Sequence, residues 1–128
     1  MAFEVVFSII ALLLPWVIFA ANLKFFRGKY KAVSAIASIV FVYAALMLQV
    51  NFIDAKLEKE LYAFDLNGDE VFSGTEITSA QEAAMEAFVN DTGRAMAPIT
   101  GAIFAVLYTS ISFLIGFFAS WLREKYRP

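Results

Sequence analysis

The sequence predicts an all-α membrane protein with three transmembrane helices, and three observations lead to that fold class. The chain of 128 residues is 61% hydrophobic, whereas soluble domains are typically about 45–50% apolar. Its mean hydropathy is +0.70. Three windows carry no charged residue, and they cover residues 5–23, 32–53 and 95–122. A helix needs roughly 20 mostly apolar residues to cross a bilayer, so these windows are long enough.

The charged residues that bound the windows predict how the chain is organised. Residues 1–53 are expected to form the first two spans, joined by the basic link 24–31. Residues 54–94 form a polar segment, and residues 95–128 form the third span and a basic tail, with Pro98 opening that span. The first window has no basic segment before it and is longer than the apolar core of a signal peptide. We therefore expect it to be a true span.

Charge is distributed unevenly, although the formal net charge is only −2. The link 24–31 holds four bases and no acid, and the tail after Leu122 holds three bases and one acid. The segment 54–94 holds ten acids and three bases, a local net charge of −7. Because Lys and Arg in short loops favour the cytoplasmic side, we expect the link and the C-terminus in the cytoplasm. The N-terminus and the segment 54–94 then face outside, in a plasma or inner membrane.

The residue types that are missing exclude several kinds of chemistry. The sequence contains no cysteine and no histidine, which excludes disulfides, thiolate and imidazole metal sites, and histidine proton relays. Oxygen ligands remain, and they suit calcium or magnesium. No charged side chain lies inside the three windows, which disfavours a transporter driven by buried carboxylates. We expect neither an enzyme nor a nucleic-acid partner.

The segment DLNGDEVFSGTE, residues 65–76, carries oxygen-bearing side chains at every second position. Its candidate metal ligands are Asp65, Asn67, Asp69, the backbone carbonyl of Val71, Ser73 and Glu76. Upstream, apolar residues recur at helical spacing. Downstream, the pattern from Ser73 to Glu76 is that of a capping box and predicts the start of the following helix.

This stretch, from about residue 57 to residue 88, resembles a single EF-hand, the helix–loop–helix unit of a large calcium-binding superfamily. The resemblance implies Ca²⁺ as the ligand, with oxygens from loop positions 1, 3, 5, 7, 9 and 12 and a bidentate glutamate at position 12. Position 6 is normally glycine, but here it is Glu70. A non-glycine residue in the left-handed conformation costs roughly 1–2 kcal/mol, so a weakened site is expected. Two alternatives stay open: an acidic helix–turn–helix that binds no metal, and a calcium site that only stiffens the segment.

Small and polar residues recur at helical spacing in two of the predicted spans. In the second span they are Ser34, Ser38, Ala45 and Gln49, and in the third they are Gly101, Ala105, Thr109, Ser112, Gly116 and Ser120. Small residues at this spacing let helices approach closely. We expect the third span's set to be a helix–helix seam. The second span's set either packs in the same way or lines a narrow pore in an oligomer.

These features together predict a calcium-binding membrane protein in which an outward-facing EF-hand sets the arrangement of the adjoining spans. We expect an oligomer that forms or regulates an ion pathway, so that the protein is an ion channel or a calcium sensor. The alternative is a small accessory subunit of a larger complex with a structural calcium site. Expected partners are membrane lipid and either further copies of the chain or a partner membrane protein, because EF-hands usually pair and the sequence holds no second loop.

Overall fold

The computed structural model describes residues 2–126 and contains only helices and turns in that part of the chain. The α-helices are α1 (Ala2–Phe26), α2 (Lys31–Tyr62), α3 (Ser79–Val89) and α4 (Thr92–Lys125), with a short 3₁₀ turn at Gly74–Glu76. Three stretches are long and apolar enough to cross a membrane, namely Val5–Phe26, Lys31–Tyr62 and Ser79–Lys125. The prediction of an all-α fold with three long apolar helices is therefore confirmed.

The described residues divide between two compact units. Unit 1 comprises Met1–Met47 and Pro98–Pro128, and unit 2 comprises Leu48–Ala97. Arg127 of the predicted basic tail lies outside the described residues. The helix α2 runs past residue 53, where charged residues begin, and ends only at Tyr62. Its last turns contain Ala, Leu, Lys and Glu and no Gly or Pro, and these residues are strong helix formers in water as well.

The start of α4 differs from the prediction. Pro98 was expected to open the third span, but α4 begins at Thr92 and Pro98 lies inside it. The backbone N–H of Arg94 donates to the Asp91 side chain at 3.2 Å, as in a helix N-cap. The cap therefore starts the helix nearly one turn before the charge-free window and six residues before Pro98.

In unit 1, α1 packs directly against α4. The Phe19 ring meets the Phe113 and Phe117 rings edge-on, with centroids 5.2 and 5.3 Å apart. A Cβ atom added at Gly116 would lie 2.6 Å from Phe19 Cε1, so only glycine allows this approach. The Tyr108 hydroxyl donates to the carbonyl of Leu12 at 2.6 Å. These contacts fix the two helices side by side.

The expected seam along α4 is confirmed. Ala105 and Thr109 are fully buried, Ser112 is 2% exposed, and Gly116 is buried as well. Near the other end of the stripe, a Cβ at Gly101 would lie 3.0 Å from Cε of Met47 in α2. The stripe thus supports contacts with both other helices of unit 1.

The first half of the α2 stripe also packs inside unit 1. Ser38 is fully buried, and its hydroxyl donates to the Ser34 carbonyl at 2.8 Å. The Ser34 hydroxyl in turn accepts a hydrogen bond from Nδ2 of Asn22 in α1. These contacts favour the packing alternative over a pore lining at Ser34 and Ser38.

The outer surfaces of the three long helices are apolar. Val17 of α1, Ile36 of α2 and Leu114 of α4 are 63%, 63% and 67% exposed. Side chains of this kind are stable only against lipid or another apolar surface. The three helices therefore have the length and surface of a multi-pass membrane protein.

Candidate metal site in the loop 65–76

Asp65 organises the first half of the loop. It follows α2 after one further turn, in which its N–H donates to the Tyr62 carbonyl at 3.2 Å. Its two carboxylate oxygens accept backbone N–H groups, from Gly68 at 2.8 Å and from Glu70 at 2.9 Å. The chain between them thus bends around the Asp65 side chain.

This bend uses the left-handed backbone conformation twice. Gly68 has a φ of +75° and Glu70 has a φ of +62°. The expectation that position 6 of the loop holds a non-glycine residue in a left-handed conformation is confirmed. The loop therefore contains one residue whose backbone is strained by its own side chain.

Three predicted ligands come together. Asp65, Asp69 and Glu76 each offer a carboxylate oxygen, and these oxygens lie within 4.8 Å of one another. Calcium binds oxygen at 2.3–2.6 Å, so two ligands on opposite sides of the ion are up to about 4.6–5.2 Å apart. The cluster therefore has the size that one calcium ion needs. At this separation two like charges repel by about 1–3 kcal/mol, depending on the local dielectric.

Glu76 is held more firmly than a surface carboxylate. It is 6% exposed, and its Oε1 accepts the N–H groups of Leu66 at 2.8 Å and Asn67 at 3.2 Å. Its Oε2 accepts the N–H of Ser73 at 3.1 Å. A carboxylate offers about four lone-pair sites, so it keeps acceptor capacity for a cation. The sequence predicted Glu76 as a ligand, but it gave no sign of the bonds to Leu66 and Asn67.

The other three predicted ligands, at Asn67, Val71 and Ser73, bond to the carboxylate residues through atoms other than the oxygens predicted to bind the metal, apart from Asn67 Oδ1. Asn67 Nδ2 donates to Asp69 Oδ2 at 3.1 Å, and Asn67 Oδ1 accepts the Asp69 N–H at 3.0 Å. Val71 donates its N–H to Asp69 Oδ1 at 2.9 Å, and Ser73 meets Glu76 through its N–H. These bonds set the path of the loop. They do not direct the Val71 carbonyl or the Ser73 hydroxyl at the carboxylates.

The helix after the loop starts later than predicted. The pattern from Ser73 to Glu76 closes the 3₁₀ turn, in which the Glu76 N–H donates to the Ser73 carbonyl at 3.1 Å. Ile77 is extended, and α3 begins at Ser79 with the Thr78 side chain accepting the Gln81 N–H at 3.2 Å. The capping pair predicted between Ser73 and Glu76 forms, but it caps the 3₁₀ turn Gly74–Glu76. The prediction that it starts the following α-helix is therefore wrong, because the chain is extended at Ile77 and a second cap at Thr78 starts α3.

Arg94 joins three parts of unit 2. Its guanidinium forms an ion pair with Asp54 of α2 and another with Asp91 at 2.9 Å. It also donates to the Phe88 carbonyl at the end of α3 at 2.5 Å. Its side chain is only 10% exposed. In the sequence Arg94 is recognisable only as a base, although it is the one arginine in the acidic segment 54–94.

Phe72 is half-buried rather than free. Its ring centroid lies 6.0 Å from that of Tyr62 at the end of α2. On its other side it borders an open groove of about 400 Å³ that also touches Ile77, Met85 and Val89. The expectation that the loop pairs with a further copy of the chain or with a partner protein stays a prediction.

Comparison of the chain with protein-family models, with curated proteins and with solved structures finds no match. The geometry of the loop 65–76 and of the helices around it is therefore the basis for a functional proposal.

Proposed function

We propose that this is an integral membrane protein whose loop 65–76 binds Ca²⁺ as a single EF-hand, and that the ion controls the helices joined to the loop. One observation carries the proposal. The carboxylates at loop positions 1, 5 and 12 lie within 4.8 Å of one another, and these are positions from which EF-hands supply ligands. In this proposal the loop faces outside, and the basic link and tail face the cytoplasm.

The ion would be held first by Asp65, Asp69 and Glu76, whose mutual repulsion it relieves. The remaining ligands of the proposed shell are Asn67 Oδ1, the Val71 carbonyl and the Ser73 hydroxyl. Nδ2 of Asn67 now donates to Asp69, and an amide N–H₂ group cannot face a cation. Rotation of this amide by half a turn would replace the hydrogen bond with a carbonyl ligand. The same rotation removes the bond from the Asp69 N–H to Asn67 Oδ1, and the Val71 carbonyl and the Ser73 hydroxyl would also have to turn toward the carboxylates. Binding therefore requires a rearrangement along the loop.

The proposed output is a change in helix arrangement. The helix α2 contains no Gly or Pro from Lys31 to Tyr62, and Asp65 follows three residues after its end. On the other side of the loop, α3 and α4 are separated by the break at Asn90 and Asp91. Sensor EF-hands change their interhelical angle by tens of degrees when calcium binds. We propose that such a change regulates an ion pathway in an oligomer or in a partner membrane protein.

The alternative function is an accessory subunit in which calcium only stiffens the segment, and the bonds of Glu76 favour it. Three backbone N–H groups already position this carboxylate. An ion that uses its free lone pairs would strengthen the loop without moving α3.

Calcium titration of the purified full-length protein by calorimetry in neutral detergent tests the proposal. We expect saturable binding with a dissociation constant of about 10⁻⁴–10⁻³ M, as in extracellular calcium modules. Glu76→Gln should abolish it. Glu82→Gln, which removes the same charge from an exposed site in α3, should change it by less than about three-fold, as is usual for surface charges. Absence of saturable heat in the unmodified protein, or equal loss in both variants, would refute calcium binding by this loop.

A second measurement separates the two functions. Spin labels at the exposed positions Lys59 in α2 and Ala83 in α3 report the distance between these helices. A calcium-dependent change of several ångströms supports the sensor, and a constant distance with a raised melting temperature supports the structural site. Light scattering with calcium and with chelator gives the oligomeric state for each condition.

A further inference from the structure

A groove lies between α1 and α4 in unit 1, and its lining residues are distant in the sequence from the loop 65–76. It has a volume of about 490 Å³ and is open along one side. At one end its lining includes Lys24 of α1 and Ser120 and Arg123 of α4. Lys24 and Arg123 each follow directly after a charge-free window, so this end of the groove lies where hydrocarbon gives way to headgroups.

The two cations at this end are available for an anion. Among the described residues, no carboxylate forms an ion pair with Lys24 or Arg123. Both side chains are exposed, and Lys24 Nζ lies over the Phe25 ring, 5.6 Å from its centroid. Two unpaired cations that line one groove create a local positive potential.

The rest of the groove is apolar and shaped by small residues. Its walls are Trp16, Phe19 and Leu23 of α1, and its floor on α4 includes Gly116 and Ala119. The Trp16 and Leu23 side chains are 36% and 38% exposed, so their faces are open to a neighbour in the membrane. A hydrocarbon chain lying along this floor would cover them.

We infer that the groove is a binding site for an anionic phospholipid. Lys24 and Arg123 bind its phosphate, and one acyl chain lies along α1 and α4 over Ala119. The guanidinium of Arg123 can bind two phosphate oxygens at once, and the Ser120 hydroxyl borders the same end. Charge complementarity selects an anionic headgroup, because the quaternary amine of a zwitterionic lipid would add a third cation to this end. The apolar floor selects a lipid over free phosphate.

Quenching of tryptophan fluorescence by brominated lipid tests the inference directly, because Trp16 lines the groove. The protein has two tryptophans, so Trp121→Phe leaves Trp16 as the only emitter. The protein in neutral detergent is titrated with phosphatidylglycerol that carries dibrominated acyl chains, and in parallel with brominated phosphatidylcholine. We expect half-maximal quenching by the anionic lipid at about thirty-fold lower mole fraction. This value is the product of two factors of about 5.4, one for each cation, since each basic residue near an anionic lipid contributes about 1 kcal/mol.

Matched variants separate this site from general attraction to positive charge. Lys24→Gln with Arg123→Gln should remove the preference for the anionic lipid. Lys29→Gln with Lys125→Gln removes two bases that do not line the groove, and should retain most of the preference. Ala119→Leu keeps every charge but fills the floor, and should weaken quenching by the anionic lipid several-fold.

Three results would overturn the inference. They are equal quenching by the two lipids, equal loss in the two double variants, and displacement of the brominated lipid by millimolar inorganic phosphate, which would assign the cations to a free anion. Melting temperatures in detergent establish that each variant is folded. A variant that does not fold is replaced by the corresponding single substitution.

Discussion

Replacing Glu70 with glycine should stabilise unit 2, because the backbone at this position has a φ of +62°. A residue with a Cβ atom costs roughly 1–2 kcal/mol in that conformation. Glycine removes this cost, but its greater freedom in the unfolded chain costs about 0.4–1 kcal/mol. The net expected gain in the free energy of unfolding is therefore about 1 kcal/mol.

The same change also affects calcium binding, through two effects of opposite sign. Relief of the backbone strain raises affinity only to the extent that the ion-free loop leaves the left-handed conformation, so about five-fold is the upper limit for a net 1 kcal/mol. Loss of the Glu70 charge weakens attraction for the cation, by about two-fold for an exposed carboxylate. We expect Glu70→Gly to bind calcium at most two- to three-fold more tightly than the unmodified protein.

Glu70→Gln separates the effect of the charge from that of the backbone strain, because it removes the charge and keeps the Cβ atom. It should bind calcium about two-fold more weakly than the unmodified protein and should not gain stability from the backbone. Gly68→Ala is the converse control. Gly68 has a φ of +75° and open space where its Cβ would lie, so this variant should lose about 1 kcal/mol from backbone strain alone.

The assay is thermal and denaturant unfolding of the four proteins in one detergent at fixed ionic strength, followed by calcium titration. Equal stability of Glu70→Gly and Glu70→Gln would refute the reasoning, since the two differ at this position only in backbone freedom and side-chain size. A gain in stability for Gly68→Ala would refute it as well.

Three further predictions concern packing and capping, and all are measured as changes in unfolding free energy or melting temperature in detergent. Arg94→Gln should cost about 1–3 kcal/mol because two carboxylates and a carbonyl lose their partner. Lys59→Gln, which changes an exposed base, should cost nearly nothing. Equal losses in the two variants would contradict the role of Arg94. Gly116→Ala should cost about 1–3 kcal/mol by displacing the Phe19 ring. Gly101→Ala should cost less, because its Cβ atom would come closest to the flexible end of Met47. A larger loss of stability at Gly101 would count against the described packing. Thr78→Ala should cost about 1 kcal/mol through loss of the α3 cap, and an unchanged α3 would show that the helix starts elsewhere.

The membrane helices were the most predictable part of the fold. An uninterrupted apolar window of about 20 residues indicates by its length and composition alone a helix that can cross a bilayer. All three windows lie in long helices. The seam along α4 was predictable for a related reason, because small residues at a spacing of three and four have few other uses in a membrane. The left-handed backbone at Glu70 was expected from the resemblance to an EF-hand loop, whose sixth position turns sharply.

Helix boundaries and the contacts of Arg94 were not predictable, because they depend on residues distant in the sequence. The charge at Asp54 ends the apolar window but not α2, since a helix in water needs only good helix formers. The pattern from Ser73 to Glu76 forms its capping pair, but it does so on a 3₁₀ turn. It does not reveal that the chain leaves the turn at Ile77 and that α3 starts from a second cap at Thr78. No sequence period relates Arg94 to Asp54, forty residues earlier.

The two sides of the proposed calcium loop differ in how they can respond to an ion. On the incoming side, α2 offers no Gly or Pro at which to bend. On the outgoing side, the chain breaks at Asn90 and Asp91, and Arg94 holds this break through carboxylates whose side chains are 56% and 41% exposed. The Arg94 side chain itself is only 10% exposed, so the break shifts only when these contacts open, at a cost of about 1–3 kcal/mol. If calcium acts as a signal here, its effect should therefore appear first as a change between α3 and α4, and Arg94→Gln should enlarge that change.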